Sequence, residues 1–185
     1  MNGKIVVITG ANSGIGFVSA LRLAELGAEV IMVCRDPSRG ADARRAIERC
    51  ATGRPPRLLR ADLSSQASIH ALSAELHECV PRIDVLINNA GGIFARRELT
   101  VDGIEKTFAT NYLAPFLLTH LLLDRVRAAP AGRIVNIASA LHGADRKALH
   151  NLQGEKHYNF MRRIVQIIGR CNLTRHNVAE TEQGF

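Results

Sequence analysis

One segment constrains the fold of this chain more than any other: Thr9-Gly10-Ala11-Asn12-Ser13-Gly14-Ile15-Gly16. It follows a near-continuous apolar run at residues 4–9. It opens a stretch, residues 14–26, in which Phe17, Leu21, Ala24 and Leu26 fall close to helical spacing. A strand that turns through glycines into a helix is the context of a phosphate-binding loop. Gly10 lets the chain turn tightly after the strand. Gly14 and Gly16 remove the Cβ atoms that would hold a pyrophosphate away from the backbone. The first N–H groups of the helix, Ile15 included, and its partial positive charge suit phosphate. Asn12 and Ser13 add side-chain donors. The competing interpretation, a plain glycine turn, leaves this placement between strand and helix unexplained.

The rest of the chain alternates in the same way. Gly27 stops the first helix. Residues 30–33 suit a second strand, 37–49 a polar helix, 57–60 a third strand ending at Ala61-Asp62, and 65–79 a third helix. Residues 83–87 suit a fourth strand, which ends in Asn88-Asn89-Ala90-Gly91. Thr100 is of the type that caps a helix. It predicts a long helix to about residue 128, with Ile104, Phe108, Tyr112 and Phe116 along one face. Residues 133–138 suit a fifth strand, with apolar Ile134, Val135 and Ile137 on an exposed edge. The alternation predicts a doubly wound, Rossmann-type α/β domain with a parallel sheet of order 3-2-1-4-5, the last strands missing. A dinucleotide would lie across the C-terminal strand edges, between strands one and four. The domain is expected to span residues 1–160. In the divergent segment 161–185, Ile164, Val165, Ile167 and Ile168 suit a helix or a strand equally.

Composition narrows the functional class. The 185 residues suit one domain, and no run reaches the roughly 18 apolar residues of a membrane span. No export signal is legible, and Cys34, Cys50, Cys79 and Cys171 are scattered without a CxxC pair. This argues against a zinc or other metal site and for a reducing, cytoplasmic compartment. The net charge of +7 owes much to eight arginines between Arg35 and Arg60. They are read as a solvated helix face rather than a nucleic-acid surface, because no aromatic residues interleave them.

With these residues in view, the chain resembles the short-chain dehydrogenases/reductases over about residues 4–160. The resemblance is carried by Thr9-Gly-x-x-x-Gly-x-Gly16, by Asn88-Asn89-Ala90-Gly91, by Asn111 and by Ser139. Within that family it is most similar to the retinol dehydrogenase and WW-domain oxidoreductase group. Thr9 to Phe17, Cys34-Arg35, Asp102-Gly103 and the segment from Leu149 to Tyr158 match that group. The resemblance implies a nicotinamide cofactor and a small lipophilic alcohol or carbonyl substrate. It leaves homo-oligomerisation open.

The second strand ends in Cys34-Arg35, where NAD-preferring members often carry Asp. Arg35 offers a donor fork for a 2′-phosphate, so NADP is expected, with NAD as the alternative. Asp36 could repel that phosphate if turned inward, and Arg39 could add a second cation. Asp62 and Leu63 match the segment that contacts adenine, and Asn89, Ala90 and Gly91 complete the cofactor set by resemblance. The resemblance also implies roles in proton handling: Ser139 orients the substrate oxygen and Asn111 holds a relay water. A family member needs in addition a Tyr-x-x-x-Lys pair to move the proton. Tyr158 is followed by Asn-Phe-Met-Arg. It aligns with a tyrosine six positions before the catalytic one, which places Ile164 and Ile168 at the catalytic positions. Tyr158 is therefore read mainly as a packing residue. The chain is expected to be weakly active or inactive. The alternatives are a non-catalytic NADP-binding or interaction protein, and a truncated or frameshifted gene product.

Overall fold

The computed structural model describes residues 1–138, 151, 153–155 and 158. Five parallel strands form one sheet of order β3-β2-β1-β4-β5. They are β1 (Ile5–Thr9), β2 (Glu29–Cys34), β3 (Arg57–Arg60), β4 (Val85–Asn88) and β5 (Arg133–Asn136). Helices α1 (Gly14–Glu25), α2 (Pro37–Glu48) and α3 (Gln66–Cys79) connect the first four strands. This is the doubly wound Rossmann-type fold that the alternation predicts.

Period-two alternation explains the two layers. Val6, Ile8, Val30 and Met32 join Ala20, Ala24, Ala43 and Ile47 on one face of the sheet. Ile5, Val7, Ile31 and Val33 join Leu72, Leu76, Leu118 and Leu122 on the other. All five residues of β1 are buried, as a central parallel strand requires. Among the described residues β5 is an edge strand, with Val135 and Ile137 about two-fifths exposed (39% and 41%).

The predicted long helix is corrected. It begins at Lys106, not after Thr100, and is built from α4 (Lys106–Phe108), a π-helical turn (Ala109–Leu113), α5 (Ala114–Leu121) and α6 (Leu123–Arg127). Gly103 lies at φ +71°, a left-handed residue that no helix continues through. The Thr100 hydroxyl instead accepts the amides of Asp102 and Ile104 and closes a turn. The buried carboxylate of Glu105 is the true cap, accepting the Thr107 and Phe108 amides, each at 2.9 Å. The predicted apolar face is also corrected. The buried stripe runs Ala109, Ala114, Leu118, Leu122, Val126. Its first step is five residues and the rest are four. The π turn inserts the extra residue and swings Phe116 out to 62% exposure.

Asp84 ties the start of the sheet together. Its carboxylate, 2% exposed, accepts the Ile5 amide at 2.9 Å and pairs with Lys4 at 2.9 Å and Arg82 at 3.2 Å. Burial alone would raise this carboxyl. The Ile5 amide, Lys4 and Arg82 outweigh it and hold the group below the ordinary aspartate value. A depressed folded-state pKa stabilises above the unfolded value, about 3.9, and that contribution is lost as pH falls through the folded value. Asp84→Asn is therefore expected to cost about 2 kcal/mol at neutral pH, the range of a hydrogen-bonded charge. The difference from the unmodified chain should shrink below about pH 4. Urea unfolding of both chains at neutral and acid pH measures it, and a difference independent of pH would contradict this account.

Candidate functional site

The C-terminal ends of β1, β2, β3 and β4 open onto one cavity of about 610 Å³. Its wall includes Gly10, Asn12, Ser13, Ile15 and Gly16 from the first turn, Cys34, Arg35, Asp36 and Arg39 after β2, and Asp62 and Leu63 after β3. Asn89, Ala90, Gly91, Gly92 and Phe94 after β4 form the far end. All the cofactor candidates read from the sequence meet here except Gly14, which is not part of the wall. The crevice lies where strand order reverses, the position open α/β sheets use for ligands.

The turns after β1 and β4 lock each other. The Thr9 hydroxyl accepts the amides of Asn89 and Ala90, both at 3.0 Å. Asn89 Nδ2 donates to the carbonyls of Thr9 at 2.8 Å and Gly10 at 3.3 Å. Thr9, unremarked in the sequence beyond its place in the motif, is thus the hinge pin of the site. The glycines divide their work differently from the sequence expectation. A Cβ on Gly16 would fall 2.4 Å from the Gly10 oxygen and 2.3 Å from Asn89 Nδ2. Gly16 lets α1 pack on the loop and also lines the cavity. Gly14, at φ +54°, has nothing within 4 Å of a built Cβ and faces open space. Ser13 is the extended N-cap of α1, its side chain makes no capping bond, and the first turn carries no acid. The helix therefore keeps its partial positive charge for an anion.

At the β2 end, Asp36 caps α2. Its carboxylate accepts the Ser38 amide at 2.9 Å and the Arg39 amide at 3.1 Å, which holds it on the helix. Among the described residues the Arg35 and Arg39 guanidiniums make no hydrogen bond and no ion-pair contact, and both residues line the cavity. Cys34 is 3% exposed, and burial pushes its thiol up to about 11 even though the Ala11 and Asn12 amides favour the thiolate. At neutral pH it is an uncharged, inert thiol. Burial would raise Asp62. The Ser64 amide and hydroxyl, with the charge of Arg35, outweigh it and keep Asp62 an anion.

At the β4 end, Asn111 sits in the π turn. Its Oδ1 accepts the Gly92 amide and its Nδ2 donates to the Gly92 carbonyl, both at 2.9 Å. A further cavity of about 400 Å³, lined by Asn89–Gly92, Ile93, Asn111 and Ile137, adjoins this end. Tyr158 lines neither cavity, and its hydroxyl donates to the Phe94 carbonyl at 2.7 Å. Ser139, Ile164, Ile168 and the segment 161–185 lie outside the described residues. Two residues the sequence reading missed matter here: Phe94 on the cavity wall and the fully buried Glu105 behind it. Glu105 directly precedes the helix it caps and was legible as an acid at a helix start. Phe94 carries no local signal. Among the described residues no helix is long and apolar enough to cross a membrane.

Comparison with known proteins agrees with this geometry. The short chain dehydrogenase family model matches residues 4–149. Human retinol dehydrogenase 11 is 41% identical over 157 residues, which are 85% of this chain and 49% of that protein. The chain spans about half the length of the curated relatives it matches. A Mycobacterium paratuberculosis protein of solved structure superposes with a TM-score of 0.79 at 35% identity, over 93% of this chain and 60% of that one. An Escherichia coli short chain dehydrogenase, solved as a complex with NADPH, gives 0.69 at 28% identity over 79% of this chain and 62% of that one.

Proposed function

The chain belongs to the short chain dehydrogenase family, and from that premise we propose that it binds NADP(H) in preference to NAD(H) in the cavity above the sheet. The observation that carries the preference is the pair of unpaired guanidiniums, Arg35 and Arg39, on the wall where the adenosine ribose would rest. Asp36 would repel a 2′-phosphate only if it turned inward, and its capping bonds keep it on α2. Asp62 and Leu63 would border the adenine. The α1 N-terminus, with Ser13 and Asn12, would take the pyrophosphate. Asn89 to Gly92 would border the nicotinamide half. Bound NADPH supplies a hydride to a carbonyl carbon.

The fit is physical as well as topological. About 610 Å³ is the size of a nucleotide-class pocket. The cations stand at one end and the apolar Ile93 and Ile137 stand beside the other. Those two side chains suit the reacting end of a lipophilic alcohol or aldehyde, the substrate class we propose by likeness to retinol dehydrogenase 11. We further propose that turnover by this chain is weak, because by the resemblance isoleucines stand at 164 and 168, where a tyrosine and a lysine would move the proton. Titration of the full chain with NADPH and NADH, with Arg35→Ala alongside, tests the cofactor reading. Loss of a charge-assisted fork is expected to weaken NADPH about 10- to 100-fold and to leave NADH nearly unchanged. Equal affinity for both cofactors in the unmodified chain would overturn it.

A further inference from the structure

Residues 89–95 leave β4 without regular structure, yet they form the far wall of the cavity. A loop without a ladder holds its shape only through side-chain ties. Gly92 has one such tie, the two-way bond to Asn111. Phe94 is held from elsewhere in the chain. We propose that Gln153 and Tyr158 form a latch that sets Phe94 at the nicotinamide end of the site, which makes both of them positioning residues for that half of the cofactor. The proposal rests on the NADP(H) reading above.

The Tyr158 hydroxyl donates to the Phe94 carbonyl at 2.7 Å, across 64 residues of sequence. The same oxygen lies 3.5 Å from Glu105 Oε1 and 3.5 Å from Thr107 Oγ1. Gln153 Oε1 accepts the Glu105 amide at 2.8 Å, and its backbone carbonyl accepts Arg97 Nε at 2.8 Å. Glu105 is fully buried and fixed to the start of α4. The latch is thus anchored on a helix end and grips the loop at Phe94 and at Arg97. The ring is held as well. The Lys106 ammonium sits 4.7 Å above its centroid while pairing with Glu98 at 2.6 Å. The space beside Gly92 is filled by that ring, since a Cβ there would lie 3.0 Å from Phe94 Cζ.

Such an arrangement acts on one half of a ligand. Among the described residues Arg35, Arg39, Asp62 and Leu63 share no hydrogen bond with Gln153, Tyr158 or Phe94, and the one link between the two ends is the charge of Lys106 acting on Asp62. Loosening the Phe94 carbonyl changes the wall beside the nicotinamide and leaves the adenosine end intact.

The test titrates the full chain with NADPH and with adenosine 2′,5′-bisphosphate, which carries the 2′-phosphate and lacks the nicotinamide. Tyr158→Phe removes only the hydroxyl. NADPH affinity is expected to fall about three- to tenfold, the worth of one neutral hydrogen bond, with the affinity for the bisphosphate unchanged. Gln153→Ala, measured the same way, is expected to move in the same direction. A thermal midpoint close to that of the unmodified chain accompanies both variants. NADPH binding that is unaffected, or an equal loss for both ligands, overturns the latch. If the unmodified chain binds the bisphosphate through Arg35, the NADP(H) reading stands whatever the latch does. If it binds neither ligand, that reading fails and the latch falls with it.

Discussion

Gly16→Ala is expected to cripple the domain, while Gly14→Ala, two residues away, leaves it folded. At Gly16 a methyl group would meet the Gly10 carbonyl oxygen at 2.4 Å and Asn89 Nδ2 at 2.3 Å. Neither obstacle yields easily. Gly10 is backbone at φ +68°, and its own Cβ position is already crowded by Ala90. Asn89 is held by the Thr9 and Gly10 carbonyls. The relief available is for α1 to back away from the loop, which breaks the packing of Ala20 and Ala24 against β1 and β2. Overpacking of this kind costs about 3 kcal/mol, which lowers the melting midpoint by roughly 6–12 °C in a chain of this size. Gly14→Ala meets no atom within 4 Å and pays only the left-handed backbone strain, about 1–2 kcal/mol. Its methyl enters open space outside the cavity wall, so cofactor affinity is expected to change little. Thermal melts and NADPH titrations of the two variants separate the roles. A Gly16→Ala chain that melts like the unmodified one would show that the close packing of α1 on the loop is not required.

That contrast marks what the sequence could and could not show. The glycine segment and the strand alternation are local signals. Each depends on residues within a few positions of one another, and each survives unchanged in the folded chain. The roles within the segment are not local. Gly16 and Gly14 look alike in the sequence, and what distinguishes them is the approach to Gly16 of the folded-back Gly10 carbonyl and of Asn89, some seventy residues later. The long helix failed for a similar reason. Thr100 is a better cap type than Glu105 by composition, but Gly103 takes a left-handed conformation and closes a turn before any helix starts. The apolar spacing of Ile104, Phe108, Tyr112 and Phe116 is real, and Phe108 and Tyr112 do stack, with ring centroids 5.5 Å apart. A π turn after Phe108 then shifts the buried stripe by one residue, an insertion no period-counting detects. The effect of Asp36 on a phosphate was open in the sequence because it depends on where one carboxylate points, and two backbone amides decide that.

The same reasoning leads to the expected absence of strong catalysis. Reduction of a carbonyl builds negative charge on its oxygen, and a positioned acid near its working pKa is worth about 10²–10⁴-fold in rate. Several described groups can be considered, and of these Tyr112 stacks on Phe108 and lines a neighbouring cavity with Ala90, Asn111 and Ile137. The Cys34 thiol, pushed up to about 11 by burial, lies at the opposite, adenosine end. The Asn111 amide is held from both sides by Gly92 and is no acid. The Tyr158 hydroxyl donates its hydrogen bond to the Phe94 carbonyl and lines neither cavity. Ser139 would hydrogen-bond the substrate oxygen by resemblance, but an unassisted hydroxyl is too weak an acid to replace a lysine-tuned tyrosine. By the resemblance, isoleucines stand at 164 and 168, where tyrosine and lysine would be needed. NADPH consumption with retinal and with short and long aldehydes is therefore expected to stay within a few-fold of the reaction without protein. Ile164→Tyr together with Ile168→Lys is expected to raise it about 10²–10⁴-fold only if the local helix is family-like and the C-terminal elements of the family are supplied, and neither substitution alone should do so, because tyrosine without lysine keeps an ordinary pKa near 10. Substantial turnover by the unmodified chain would overturn this reading. If that turnover also vanished in Tyr158→Phe at saturating NADPH, Tyr158 would be the acid, and its bond to Phe94 would have to break during the reaction.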